Sequence, residues 1–220
     1  MVKKLGLLTF CASLASLMSL TAPVKSVDGP DDDHDRFRVT STTFENDSTL
    51  LISAINNVTI PAGFPNAGSN GCSIDGAPGG NESPELSWAD APRRTRRFAV
   101  VMFDETANFT HWGMYNTSAD TTELPQNAGV AGSAFGQQIV NDSGNGAEYY
   151  GPCPPPNFPP NVHHYVITVY ALDEELTLPS SPNFPPVAET LFQALIKAGE
   201  HGHILDSAKI VGLYSTTPGN

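Results

Sequence analysis

Charge is scarce in this chain. Only 15% of its 220 residues are charged, 11 of them basic and 23 acidic, for a formal net charge of -12. A chain this acidic repels polyanions at long range, which excludes nucleic acid as a partner. Any anion site must then act through short-range donors and not through the overall field. Cysteine is sparse as well, at three, too few for a small disulfide scaffold. After residue 20 there is no long apolar run, so nothing further along predicts a membrane-spanning helix. The Gly-x-Ser-x-Gly elbow of the α/β-hydrolases is missing too.

Glycine and proline are plentiful, at 19 each, and hydrophobic residues make up 40%. That combination predicts a globular, loop-rich β domain. The first residues read as a signal peptide: Lys3 and Lys4, then an uncharged stretch from Leu5 to Leu20, then small residues at Ala22 and Ser26. A membrane anchor competes, but the apolar stretch is short for a span. Cys11 follows the bulky Phe10, which does not suit a lipoprotein signal. The predicted organisation is a signal peptide over 1–26, an acidic linker over 27–36 ending in Asp31-Asp32-Asp33-His34-Asp35, and one domain over 37–220. The predicted destination is the periplasm or the exterior. Without the leader, Cys72 and Cys153 remain. In an exported protein they predict one disulfide, against an alternative of two buried free thiols. Six Asn-x-Ser/Thr sequons, at Asn46, Asn57, Asn81, Asn108, Asn116 and Asn141, matter only in a eukaryotic secretory pathway.

Strands are predicted at Phe37–Ser41, Phe98–Phe103, His111–Asn116 and Tyr165–Leu172, with a β-branched stretch from Leu50 to Ile60 and a short apolar one from Leu86 to Trp88. Pro65 to Asn81 reads as a long loop, and Gly129 to Asn161 as another. Val187, Ala188, Leu191, Phe192 and Leu195 recur at helical spacing, with Gly199 as the stop. A second short helix is predicted over His203–Lys209 and a closing strand over Ile210–Tyr214. The fold class is mainly β: an antiparallel β-sandwich with one or two C-terminal helices.

Four stretches resemble, in order, the phosphatidylethanolamine-binding protein family in its bacterial branch. Asn81-Glu82-Ser83-Pro84-Glu85-Leu86-Ser87-Trp88 is similar to its N-x-S-P-x-L-x-W. Asp104 to Trp112 resembles the segment that begins D-P-D-A-P and ends H-W. Tyr150-Gly151-Pro152-Cys153-Pro154-Pro155 with His163-His164-Tyr165, then Val169 to Asp173, resembles G-P-C-P-P…H-x-Y…V-Y-A-L-D. Gly202-His203-Ile204-Leu205 with Gly212-Leu213-Tyr214 resembles the family's ending. The resemblance implies the sandwich fold and a small preformed pocket for a phosphate-like group. It places Asp104, His111, His163 and Tyr165 in that pocket, completed by the loop that holds Gly151, Cys153 and Pro154. His164, next to His163 on a strand, faces the other way. After Asp104, the chain has Glu105, Thr106, Ala107 and Asn108 where the family has Pro, Asp, Ala and Pro, so the second acid and both prolines are missing.

These residue types suit an anion. Imidazole and phenol groups supply donors, a stiff Pro-rich loop loses little entropy on binding, and a carboxylate can orient an imidazole. Outside that context, His111 could satisfy a buried hydrogen bond and Tyr165 could be core. Cys153 lies between prolines, with Cys72 as its expected partner, which disfavours a cysteine nucleophile. His201-Gly202-His203 suits a helix end better than a metal. Arg93, Arg94, Arg96 and Arg97 read as a solvated turn and strand edge, or as a contact patch for lipid headgroups or an acidic partner. The expected function is non-enzymatic: an exported protein that binds a small anionic or phosphorylated ligand, such as a phospholipid headgroup, with no cofactor and no metal. Two alternatives remain, inhibition of an extracellular protease or other partner protein, and phosphoester hydrolysis.

Overall fold

The computed structural model describes residues 36–59, 62–63, 68, 71–156, 159–181 and 185–216. The predicted leader and nearly all of the acidic linker lie outside them. All described residues belong to the unit Asp32–Asn220.

The longest strands form where apolar residues fill both faces. β6 (Arg97–Asp104), β7 (Phe109–Ser118), β10 (His163–Leu172) and β11 (Ile204–Tyr214) pair antiparallel in the order β11-β10-β6-β7. Two-residue edges complete a six-stranded sheet: β2 (Ser48–Thr49) on β11 and β9 (Gln137–Gln138) on β7. A second sheet contains β1 (Arg38–Thr40), β5 (Leu86–Ala89) and β8 (Glu123–Leu124) in the order β1-β5-β8. Period-two alternation turns Phe98, Val100 and Met102 of β6 and Tyr165, Ile167 and Val169 of β10 toward the second sheet. There they join Val39, Leu86, Trp88 and Leu124 in one buried cluster. Phe37 stacks on Phe98 at 6.1 Å, and Trp88 meets the same ring at 5.1 Å. Both predicted packing tryptophans, Trp88 and Trp112, are buried.

The opposite face of the large sheet is covered by α1 (Ala188–Glu200), which buries Leu191, Phe192 and Leu195. Phe192 meets Phe103 edge-on at 5.9 Å. A Cβ on Gly113 would come within 2.8 Å of Leu191 Cδ2, so the absence of a side chain there lets the helix approach β7. Thr190 Oγ1 accepts the Val187 N–H at 3.0 Å and steadies the first turn.

Four readings from the sequence need correction. Residues 203–209 are not a helix. Gly202, at φ 75°, reverses the chain after α1, and His203 N–H donates to Ala198 at 2.8 Å. From Ile204 the chain pairs along the open edge of β10, so unmet ladder hydrogen bonds overrule the local pattern. Gly199 accordingly sits inside α1, and the left-handed stop comes at Gly202. The Leu50–Ile60 stretch contains no strand among its described residues but a short 3-10 turn, Ile52–Ala54. Its backbone serves other partners: Ile52, Ser53 and Ile55 carbonyls accept the N–H groups of Gly80, Glu82 and Asn81, at 3.1, 2.8 and 2.8 Å. Lastly, the Pro65–Asn81 loop contains a hairpin, β3 (Ser73–Ile74) and β4 (Ala77–Pro78). Its turn is Asp75-Gly76, both at positive φ, the Asp-Gly signal of a tight hairpin.

The arginine turn is shared with acids. Arg97 pairs with Glu175, and Arg94 lies 3.6 Å from Asp173. Of the sequons, Asn141 is buried, and Asn116 exchanges hydrogen bonds of 2.9 and 2.8 Å with the Leu176 backbone. His203 Nδ1 lies 2.9 Å from Asp173 Oδ1. No cluster of three or more His, Cys, Asp or Glu arranged to hold a metal occurs among the described residues.

Candidate functional site

β6 ends on Asp104, and the chain turns back at once into β7. Asp104 Oδ1 fastens that turn by accepting the N–H groups of Thr106 and Ala107, at 2.8 and 3.0 Å. Asn108 closes it at φ 55°. Proline cannot adopt that value, so this turn is built differently from one with proline there. Glu105 is exposed, which leaves Asp104 as the carboxylate of the site.

Asp104 Oδ2 lies 2.6 Å from His163 Nδ1. The strand register explains the meeting: Tyr165 pairs with Asp104, and His163 is two residues back on the same face. The His163 and Tyr165 rings stack at 6.2 Å. His164 is exposed on the opposite face.

Alternation alone does not bring His111 here. Trp112 pairs with Met102 and Thr110 with Phe103, so His111 is the extra residue of a β-bulge. The bulge lets neighbours His111 and Trp112 both face the core side, which regular pleating forbids. His111 meets Tyr165 edge-on at 5.2 Å and Phe109 at 4.7 Å. Its Nδ1 is 2.6 Å from the Tyr150 carbonyl. A carbonyl only accepts, so Nδ1 holds the proton. Burial lowers the pKa of this ring from 6.5 to about 4, against the opposing pull of the Tyr150 hydrogen bond and the Asp104 and Asp142 carboxylates. His111 is therefore neutral at pH 7. Burial pushes the Tyr165 phenol well above its usual range, and Asp104 adds to the shift. The hydroxyl stays protonated and can donate.

These groups line a cleft of about 440 Å³ at the end of the large sheet away from Phe98. Asp104, His111, Cys153, Pro154, His163 and Tyr165 all border it. Gly151 does not. It works behind the wall, where the pocket loop crosses the 52–56 turn. Its N–H donates to Asn81 Oδ1 at 2.8 Å and its carbonyl accepts from Asn56 Nδ2 at 3.2 Å. A Cβ on Gly151 would lie 2.5 Å from the Ala54 carbonyl and 2.6 Å from the Asn56 nitrogen, both backbone. Gly151→Ala is expected to lower stability by about 2 kcal/mol and to weaken binding in the cleft. Thermal unfolding within a few tenths of a degree of wild type would refute the close approach.

Cys153 is bonded to Cys72, with their Cα atoms 5.5 Å apart. The bridge ties the pocket loop to the β3–β4 hairpin, and Tyr214 fixes the hairpin further, its hydroxyl accepting the Ser73 N–H at 3.1 Å. Sequence reasoning missed Ala107, Phe109, Ser143, Asn145 and Tyr150, which also line the cleft. Phe109 was accessible in principle, since it pairs with Asp104 at the start of β7. Ser143 and Asn145 were not. Asn141 carries that loop: its Nδ2 donates to the Glu148 carbonyl at 2.9 Å, and its Oδ1 accepts the Ser143 N–H at 3.0 Å. Among the described lining residues Asp104 is the single carboxylate, and none is Lys or Arg.

Fold and cleft define a class, a β-sandwich of binding-protein type with a preformed polar site at one end. Comparison with known proteins agrees. The family profile described as phosphatidylethanolamine-binding protein matches residues 53–215. A UPF0098 protein of Methanothermobacter thermautotrophicus is 36% identical over 141 residues, covering 62% of this chain and 84% of that one. LppC of Mycobacterium tuberculosis, named as a candidate lipoprotein, is 31% identical over 148 residues, covering 61% and 69%. The crystal structure of Escherichia coli YbcL, described as a member of the mammalian PEBP family, matches with a TM-score of 0.61 at 28% identity, covering 81% of this chain and 98% of that one. The chain belongs to the phosphatidylethanolamine-binding protein family.

Proposed function

We propose that this protein is an exported, non-enzymatic binder of a small phosphoryl-bearing ligand. The observation that carries the reading is the convergence of His111, His163 and Tyr165 on one cleft, with both imidazoles held by hydrogen bonds and the Tyr165 ring packed against each of them before any ligand arrives. Donors and acceptors fixed in advance lose little entropy on binding. A binding role is favoured over cysteine or serine catalysis because the thiol and hydroxyl nucleophiles of those mechanisms are committed elsewhere on the cleft. The Cys153 sulfur is bonded to Cys72, and the Ser143 hydroxyl donates to Asn141 Oδ1, not to an imidazole. Export is supported by the charged and apolar leader pattern, by the disulfide, and by the candidate lipoprotein among the relatives.

Thermal unfolding against phosphate, phosphoethanolamine, nucleotides and short-chain phospholipids tests the reading. A ligand at about 100 times its Kd should add about 2.7 kcal/mol, and His111→Gln and Tyr165→Phe should abolish the shift. If no phosphoryl compound shifts the transition, the reading fails. Turnover of a generic phosphoester, lost in His111→Gln, would replace it with a hydrolase.

A further inference from the structure

The inference below rests on the phosphoryl-binding reading and narrows its ligand class. We infer that the cleft selects a phosphoryl group that still carries a proton, a phosphomonoester monoanion or dihydrogen phosphate with a P–OH, over a phosphodiester. His111 spends its N–H on the Tyr150 carbonyl, so Nε2, with no hydrogen-bond partner among the described residues, offers a lone pair. An anion without a proton meets that lone pair as acceptor against acceptor.

Nothing nearby compensates with positive charge. The titratable groups that face His111 among the described residues are Asp104 on β6, His163 and the neutral Tyr165 phenol on β10, Asp142 on the adjoining loop and Tyr150, whose ring stacks on it at 6.3 Å. The Asp104 carboxyl lies 2.6 Å from His163 Nδ1, an acid set directly against the other imidazole. No Lys or Arg lines the cleft among the described residues. A phosphodiester has no proton for His111 Nε2, so it meets that lone pair favourably only if the ring takes a proton from water, which burial opposes down to about pH 4; otherwise its oxygens are left to the Tyr165 hydroxyl and His163. A monoester monoanion brings the proton itself: P–OH donates to His111 Nε2 while a P–O⁻ oxygen accepts from the Tyr165 hydroxyl.

Calorimetric titration with methyl phosphate and dimethyl phosphate, which differ by one methyl group, tests this. Each titration is run from pH 5 to 8 in two buffers of different ionisation enthalpy, to count protons. Methyl phosphate should bind at least about tenfold tighter at pH 6. Its affinity should fall about tenfold per pH unit above its second pKa, about 6, because the dianion has no P–OH. Any dimethyl phosphate binding should take up about one proton. Inorganic phosphate and short-chain phosphatidic acid, run alongside, separate a free from a lipid-borne source. Equal affinity for both methyl esters at pH 7 without proton uptake would overturn the inference and leave the phosphoryl reading standing. If no phosphoryl probe binds at any pH, both fall. Nitrogen-15 NMR of the free protein at pH 7 gives a check independent of variants: a protonated His111 Nε2 would also overturn it.

Discussion

Replacing both bridge cysteines, Cys72→Ala with Cys153→Ala, is expected to destabilise the protein by about 4 kcal/mol and lower Tm by about 10 °C. The bond closes a loop with a sequence separation of 81, and in the chain-entropy account the stabilisation grows with the logarithm of loop length. Cys72 is fully buried while Cys153 borders the cleft, so the bridge anchors a site wall to the core. The doubly substituted protein should therefore bind phosphoryl ligands more weakly as well. Alanine is preferred to serine at Cys72 because a buried hydroxyl would add a desolvation cost of its own. Denaturant unfolding of both proteins, with thiol titration of the wild type, gives the answer. Two titratable thiols in unreduced protein would contradict the bridge, and an unchanged midpoint would contradict its contribution.

Acidification from pH 6.5 to 4 is expected to remove about 3 kcal/mol of stability through His111 alone. The sign follows from the direction of the shift. The folded pKa is about 4 and the unfolded one 6.5, so between these values the unfolded chain binds the extra proton. Stability then rises with pH across that window and is level above it. Below pH 4 both states are protonated at this site and the contribution is gone. His111→Asn, whose amide nitrogen can stand where Nδ1 does, keeps a donor for the Tyr150 carbonyl and removes the titration. The difference between the urea-unfolding profiles of wild type and variant isolates the His111 contribution from carboxylate titrations near pH 4. Parallel profiles from pH 4 to 6.5 would mean that the ring is not held neutral. A bound monoester that donates to Nε2 should protect most at mildly acidic pH, where its monoanion dominates.

Parts of the site were legible because they follow from spacing of two. His163 and Tyr165 share a face on any strand, and His164 must turn away. Asp104 stands where a continuous apolar run ends, as a turn-forming carboxylate should. The helix face Leu191, Phe192 and Leu195 was equally plain, because a 3.6-residue period needs no outside partner to be read. The cleft's outer wall was not legible. Ser143 and Asn145 sit in a run of Asn, Asp, Ser and Gly whose pattern says only that it turns. Their placement depends on Asn141 hydrogen bonds and on the pairing of Asp142 with Thr110, whose N–H donates to Asp142 Oδ2 at 2.7 Å.

By itself, the amino-acid sequence determined the strands with strong alternation or continuous apolar character, the amphipathic helix, the two cysteines placed to cross-link, and the ordered segments that mark the family. All are local patterns or direct matches of residue type. Tertiary structure decided the rest, because backbone hydrogen bonds are allotted across the whole fold and not within a window of sequence. The 50–59 stretch, rich in β-branched residues, gave up strand pairing to hold residues 80–82 and Pro152. Residues 203–209 became a strand because the edge of β10 was open. A single bulged residue between β6 and β7 turned His111 inward beside Trp112, and the Tyr150 carbonyl then settled which of its nitrogens holds the proton.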